Sequence, residues 1–316
     1  MGDICSWLLR NGDEAWIAGA TCDDQCMTML VQQCGVPANR IILMDPGGRF
    51  EDFGGDVCYR LDADLVDVQW AIQIPAGGFP CAAIATMHGA VSMPPPTIFQ
   101  GAISVEESAQ QRHRFAHLGL PLAEVLNWCN TARFPFRERL GEGVVFIGRS
   151  FKMVNVRKVA PLYAGRIEAY GTVTAAEHIA SLPANVEWRG VCDSAAVMPQ
   201  ARVVIGCAQV ALEAMAAGRW VLCGQNLHLS PEVLVDTVPE GRIVRPANVA
   251  EISAAGQFNY RRPPEPRAEE VLAELEWALA HDAPEERRAL RDWVEERHSL
   301  EAQVRKIRAF YREVAG

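Results

Sequence analysis

The strongest chemical signal in the chain is Ala201-Arg202-Val203-Val204-Ile205-Gly206-Cys207-Ala208-Gln209-Val210-Ala211-Leu212-Glu213-Ala214-Met215-Ala216-Ala217-Gly218. It reads as a buried strand, a short loop and a helix. The first N–H groups of a helix have no intrahelical acceptor, and the helix dipole adds positive potential there. A helix start near Gln209 and Val210 therefore suits a phosphate. Glu213 lies one turn inside, where a carboxylate can accept both hydroxyls of a ribose. The plain alternative is a core helix carrying an exposed glutamate. No G-x-S-x-G nucleophile elbow and no H-E-x-x-H zinc motif occurs anywhere. The ten cysteines are scattered, with Cys22 and Cys26 the closest pair, so the sequence predicts no zinc site and reduced, buried thiols.

The elements that must position these groups follow from the apolar pattern. Short apolar runs alternate with amphipathic segments. In the first half the runs are Trp16–Gly19, Arg40–Met44, Leu65–Trp70, Cys81–Met87 and Thr97–Ser104. A helix is predicted before the first run, ending near Asn11-Gly12, and another over Val105–Leu118. A second series begins at Gly143, with strands predicted at Val144–Ile147, Arg166–Gly171, Val186–Gly190, Arg202–Gly206 and Trp220–Gly224. Continuous apolar runs between helices indicate buried parallel strands, hence an α/β protein of βαβ units. Charged helices are predicted at Glu269–His281 and Pro284–Val314, with a break near His298. In the last of them, Val304, Ile307, Phe310 and Tyr311 share one face, which predicts packing back onto the N-terminal half.

Bulk properties narrow the partners. A chain of 316 residues exceeds one ordinary core, so two domains are expected. The Arg133–Gly143 segment, with its Arg, Phe, Pro and Gly, reads as the linker. The net charge of −9 argues against nucleic acid as a partner. No apolar run reaches the about 18 residues that span a bilayer, and no basic flank precedes an apolar stretch at Met1. A cytoplasmic location is the resulting expectation, with peripheral membrane contact left open.

Five segments, in order, resemble the family-4 retaining glycosyltransferases of the GT-B fold. Leu212-Glu213-Ala214-Met215-Ala216-Ala217-Gly218 is similar to the family's L-E-A-M-A-x-G sequence. Val145-Phe146-Ile147-Gly148-Arg149 is similar to its V-G-R strand end, and Asn185–Gly190 to its N-V-x-F-x-G strand. Asn127–Phe134 resembles the N-G-V-D-x-x-x-F segment before the linker, and Ala85-Thr86-Met87-His88-Gly89 the T-x-H strand end. Together they cover about residues 3–245.

The resemblance implies two facing Rossmann-like domains with parallel sheets. The expected division is 1–138 on the acceptor side, 139–290 for the nucleotide-sugar donor, and 291–316 as a helix crossing back. It implies transfer of a sugar from a nucleotide-diphosphate donor, with retention and without metal or other cofactor. A UDP-sugar is the first expectation, with GDP and ADP as alternatives. The acceptor, whether glycan, lipid or small molecule, and the oligomeric state are not specified. Glu213 is implied to hold the donor ribose, Arg149 to neutralise the diphosphate, and His88 to touch the transferred sugar. Lys152 is the second phosphate cation, with Lys158 as its alternative. Gly148, Gly190, Val191, Cys207, Ala208, Gln209 and Val210 are implied to line the donor.

The chain departs from this pattern in three places. Ile205 stands where the family carries a second acid, eight residues before Glu213. Trp128 and Asn130 replace a Gly and an Asp in the segment before the linker. The residues from Ile4 to Gly12 read as the family's first helix, so the first strand of the N-terminal sheet is expected to be missing. A catalytically degenerate nucleotide-sugar-binding protein is therefore the alternative reading. Nucleotide-sugar epimerisation on the same fold is a third, although no cluster of carboxylates or histidines marks it.

Overall fold

The computed structural model describes residues 2–19, 29–43, 61, 63–69, 79, 81–87, 99–105, 119–223, 242–254 and 267–316. The described chain forms two compact units, residues 1–126 with 300–316, and residues 127–299. The divide at Leu126/Asn127 places Arg133–Gly143, expected as a linker, inside the second unit.

The first unit opens with helix α1 (Gly2–Arg10), which buries Ile4, Cys5 and Trp7. Strands β1 (Ile17–Gly19) and β2 (Ile41–Leu43) form a parallel pair. Strands β3 (Leu65–Gln69), β4 (Ala82–Met87), β5 (Gly101–Val105) and β6 (Leu122–Val125) form a parallel sheet in that order. Val68, Ala83, Ala85 and Phe99 build its local core. No apolar run announces β6: Leu122-Ala123-Glu124-Val125 is short, follows Pro121, and exposes Glu124. The helix expected over Val105–Leu118 lies outside the described residues.

The second unit is a five-stranded parallel sheet flanked by helices. Its elements are β7 (Gly143–Ile147), α2 (Val154–Val159), β8 (Ile167–Tyr170), α3 (Glu177–Ala180), β9 (Val186–Gly190), α4 (Ser194–Val197), β10 (Ala201–Gly206), α5 (Gln209–Ala216) and β11 (Trp220–Cys223). Helices α6 (Val249–Ala254), α7 (Ala268–Ala280) and α8 (Pro284–His298) follow. The strand order is β11-β10-β7-β8-β9. Val203, Val204, Ile205, Val221 and Leu222 are almost fully buried, because helices cover both faces of a parallel sheet. This is why those strands read as unbroken apolar runs rather than alternating ones.

Helix α9 (Leu300–Ala315) returns to the first unit. It buries Leu300, Val304, Ile307 and Phe310 on one face. Two polar contacts fix its register: Leu126 N–H donates to Gln303 Oε1 at 3.0 Å, and the Tyr311 hydroxyl donates to Asp67. Among the described residues no helix is long and apolar enough to cross a membrane.

Candidate functional site

In the second unit the chain lays β8 and β9 on one side of β7, then crosses to lay β10 and β11 on the other. The order therefore reverses between β7 and β10. Open parallel sheets bind ligands beyond the carboxyl ends of the strands at such a switch point, because the two following loops diverge there. The pairing of Val144, Val145 and Phe146 with Val203, Val204 and Ile205 brings the two strand ends side by side. Gly148-Arg149 follows one strand, and Cys207-Ala208 follows the other.

The loop after β7 is held from three directions. Gly148 N–H donates to Tyr170 O at 2.9 Å and Ser150 N–H to Thr172 O at 3.0 Å. The buried Ser150 Oγ accepts from Thr174 N–H at 2.9 Å and contacts Thr174 Oγ1 at 2.9 Å and His178 Nδ1 at 3.1 Å. Gly171 supplies the third constraint, since its φ is 143° and a Cβ there would lie 1.8 Å from Gly148 O. The exposed Arg149 side chain is thus presented on a fixed backbone. Gly171→Ala is expected to lower stability by about 1–3 kcal/mol, the cost of a strained φ plus displacement of Gly148. Thermal unfolding measures this, and an unchanged midpoint would show that the loop yields freely.

The loop after β10 is equally tight. A Cβ at Gly206 would lie 2.7 Å from Val210 Cγ1, so glycine lets α5 turn directly off the strand. Ala208, the N-cap, has φ 49° and ψ −122°, and is the one non-glycine with positive φ among the described residues. Such strain persists only where the surroundings enforce it, and it concentrates at ligand sites. The cap supplies no side-chain acceptor. The amide expected to be available at Val210 is instead used: it donates to Cys207 O at 3.2 Å. A tight turn at Ala208 brings that carbonyl back over the helix start. The Gln209 N–H has no acceptor among the described residues and is the better-placed donor.

Lys152 links the two loops. Its Nζ lies 3.5 Å from Cys207 Sγ. Burial pushes the Cys207 thiol up, and Lys152 offsets part of this. Lys158 stands in the last turn of α2.

Glu213 is half-buried one turn into α5. Its Oε2 accepts from Ser194 Oγ at 2.8 Å, and its Oε1 from Gln209 Nε2 at 3.4 Å. Ser194 opens α4, whose cap Asp193 accepts from Ala195 N–H at 3.0 Å and pairs with Arg133 at 2.9 Å. Burial, with Asp193 and Glu213 nearby, pushes the Cys192 thiol up to about 11. It therefore stays neutral at pH 7. Gly190 has φ 79° with open space around its missing Cβ, and Val191 beside it is 52% exposed. Asp193 followed by Ser194 is a readable capping signal, but nothing local pairs Ser194 with a residue nineteen positions on.

The departures from the expected pattern acquire physical explanations. Ile205 is buried within β10, paired with Phe146 and Leu222, so an acid there would lie in apolar packing. Trp128 and Asn130 do not have positive φ, so this chain follows an ordinary backbone path where the resembled pattern has glycine. Among the described residues the first element is α1, and no described ladder joins the β1–β2 pair to the β3–β6 sheet. His88, one residue past the end of β4, lies outside the described residues.

No family model and no curated protein matches the chain. Solved structures do. AviGT4, a glycosyltransferase involved in avilamycin A biosynthesis, superposes with a TM-score of 0.62 at 17% identity, over 99% of this chain and 88% of that one. A UDP-N-acetylglucosamine 2-epimerase gives a TM-score of 0.57 at 9% identity, over 98% and 91%. A point mutant of S. aureus TarM, in complex with fondaparinux, alpha-GlcNAc-glycerol and UDP, gives 0.51 at 15% identity. That match covers 73% of this chain, which spans only 51% of TarM's length. At these identities the likeness is one of fold: an α/β chain of the GT-B type, built from Rossmann-like units with parallel sheets.

Proposed function

We propose that this chain is a glycosyltransferase of the hexosyltransferase kind, moving a sugar from a nucleoside-diphosphate donor to an acceptor. The observation that carries this reading is the convergence at one switch point of Arg149, Lys152, the open start of α5 and the held carboxylate of Glu213. The departing nucleoside diphosphate gains negative charge as the glycosidic bond breaks. Cations and aimed N–H groups that meet that charge lower the barrier, because they are already oriented when it develops. Arg149 takes the diphosphate with a guanidinium fork, Lys152 adds a point charge, and Gln209 N–H points along the dipole of α5. With two cations in place, the charge is met without a metal ion. Glu213 accepts from the ribose hydroxyls, and Gly190 and Val191 border the nucleobase. Retention at the transferred carbon and UDP as the nucleotide complete the proposal.

Calorimetry with UDP, GDP and ADP tests the donor site. NMR of the matching nucleotide sugars tests turnover. Glu213→Ala is expected to weaken binding of the preferred nucleotide by about 1–3 kcal/mol, the scale of lost hydrogen bonds to a charged group. Unchanged affinity would remove Glu213 from the site, and absence of any nucleotide or nucleotide-sugar binding would sink the proposal. Conversion of the donor to an epimer without acceptor would replace transfer by epimerisation. Binding without hydrolysis, transfer or epimerisation would point to a catalytically degenerate protein.

A further inference from the structure

We infer that His178 is a positioning residue for Arg149: its ring locks the buried Ser150 hydroxyl and so fixes the backbone from which the Arg149 guanidinium meets the departing diphosphate. This rests on the donor site proposed above.

Arg149 and Ser150 are neighbours, and Arg149 caps the single 3-10 turn Ser150–Lys152. Ser150 is 1% exposed, so its polar groups must find partners inside the protein. Its N–H donates to Thr172 O, and its Oγ accepts from Thr174 N–H. Two further groups meet the same oxygen: Thr174 Oγ1 at 2.9 Å and His178 Nδ1 at 3.1 Å. Those two lie 3.1 Å from each other, which closes a triangle. Each hydroxyl brings one hydrogen, and an unprotonated Nδ1 has a single lone pair to face two oxygens. A hydrogen on Nδ1 serves both oxygens at once as a three-centre bond. The Ser150 hydroxyl then donates to Thr174 Oγ1, and all three contacts are filled. The geometry therefore makes Nδ1 the donor.

His178 is itself anchored. It lies in α3, and its carbonyl accepts from Arg157 Nη2 of α2. Contacts thus run from α2 through His178 to Ser150 and so to the backbone of Arg149. They tie the loop after β7 to the loop after β8 and to α3. The ring is half-buried, whereas Thr174 is exposed, so His178 is the member of the triangle that is held on the protein side. A long side chain magnifies any tilt of the backbone that carries it. A displacement of about 1 Å at a reacting centre costs up to about 100-fold in rate. Under the proposed chemistry Arg149 meets charge that develops only in the transition state. Loss of its positioning should therefore fall on kcat and not on KM.

The test is a double-mutant cycle on the full chain. Hydrolysis of UDP-glucose, UDP-N-acetylglucosamine, GDP-mannose and ADP-glucose is followed by NMR, and the fastest donor is used throughout. In the wild-type background His178→Ala is expected to lower kcat by about 10-fold, with KM for the donor within about 2-fold. In the Arg149→Ala background the same substitution is expected to change kcat by less than about 2-fold, because the group it positions is gone. His178→Asn, whose Nδ2 takes the place of Nδ1 as donor, is expected to restore most of the rate. Nitrogen-15 shifts are expected to show the His178 hydrogen on Nδ1. Equal losses in both backgrounds would show a merely structural ring and overturn the inference. An unchanged kcat in His178→Ala or in Arg149→Ala would overturn it too, while leaving the donor site standing. A wild type that neither binds nor hydrolyses any of these donors would bring down the donor-site reading and the inference with it. Should His178→Ala fail to fold, Thr174→Val, which keeps the Thr174 amide and removes only the hydroxyl, enters the same cycle with the same expected pattern.

Discussion

Arg219→Met is expected to lower the stability of the second unit by about 3–5 kcal/mol. Arg219 is fully buried, and its guanidinium donates almost entirely to backbone carbonyls. Nε reaches Ala217 O at 3.1 Å, Nη1 reaches Ala201 O at 3.1 Å and Arg139 O at 3.2 Å, and Nη2 reaches Arg137 O at 2.8 Å. Arg287, also fully buried, adds bonds to Gly218 O at 2.8 Å and Arg137 O at 3.2 Å. Arg291 bonds Phe134 O at 2.7 Å and Ala216 O at 2.6 Å. These three side chains satisfy carbonyls at the C-terminal end of α5 and sew the 134–139 segment onto it. Positive charge at a helix C-terminus complements the dipole whose other end opens at Gln209.

Burial, aided by the neighbouring Arg287 and Arg137 cations, pulls Arg219 down to about 10. It remains protonated at neutral pH. Methionine fills much of the volume but leaves several carbonyls buried without donors, at about 1–3 kcal/mol each where neighbours cannot compensate. A unit of this size loses about 2–4 °C per kcal/mol, so the melting midpoint should fall on the order of 10 °C. Differential scanning calorimetry measures this directly. A drop under about 2 °C would show that Arg287 and Arg291 carry the clamp alone.

Arg149→Ala is expected to do the reverse: little to stability and much to turnover. The side chain is exposed at the end of β7 and forms no ion pair among the described residues, so its removal should change stability by less than about 0.5 kcal/mol. Under the proposed chemistry it meets charge that develops only as the diphosphate leaves. Loss of one such contact typically lowers kcat by about 10²–10³-fold, with a smaller effect on KM. Arg149→Lys should recover part of the rate, because a point charge replaces a two-pronged contact. Donor hydrolysis followed by NMR gives the rate without knowledge of the acceptor. An unchanged kcat in Arg149→Ala would transfer the role to Lys152.

The central strands β7, β10 and β11 were readable from the sequence as near-continuous apolar runs, since both faces are covered, whereas β8 and β9 alternate and carry Glu168, Glu187 and Arg189. Strand β6 was not readable, because an edge strand of four residues with Glu124 exposed carries no such run. The break between α8 and α9 at His298 was visible, and so was the strand–loop–helix around Glu213. The condition of that helix start was not. Whether Val210 or Gln209 has an available amide depends on the turn at Ala208, a backbone angle that alanine does not advertise.

By itself, then, the amino-acid order determined the α/β class, the position of most strands and the strand–loop–helix that holds Glu213, because these depend on local periodicity and on glycine spacing. Only the tertiary structure decided which distant groups act on that site. It set Ser194 against Glu213, Lys152 against Cys207, and three arginines on the carbonyls behind α5. It also placed Ile205 inside the sheet, between Phe146 and Leu222. Those pairings join residues far apart in the chain, and their energies come from burial and geometry that exist only once β7 and β10 lie side by side.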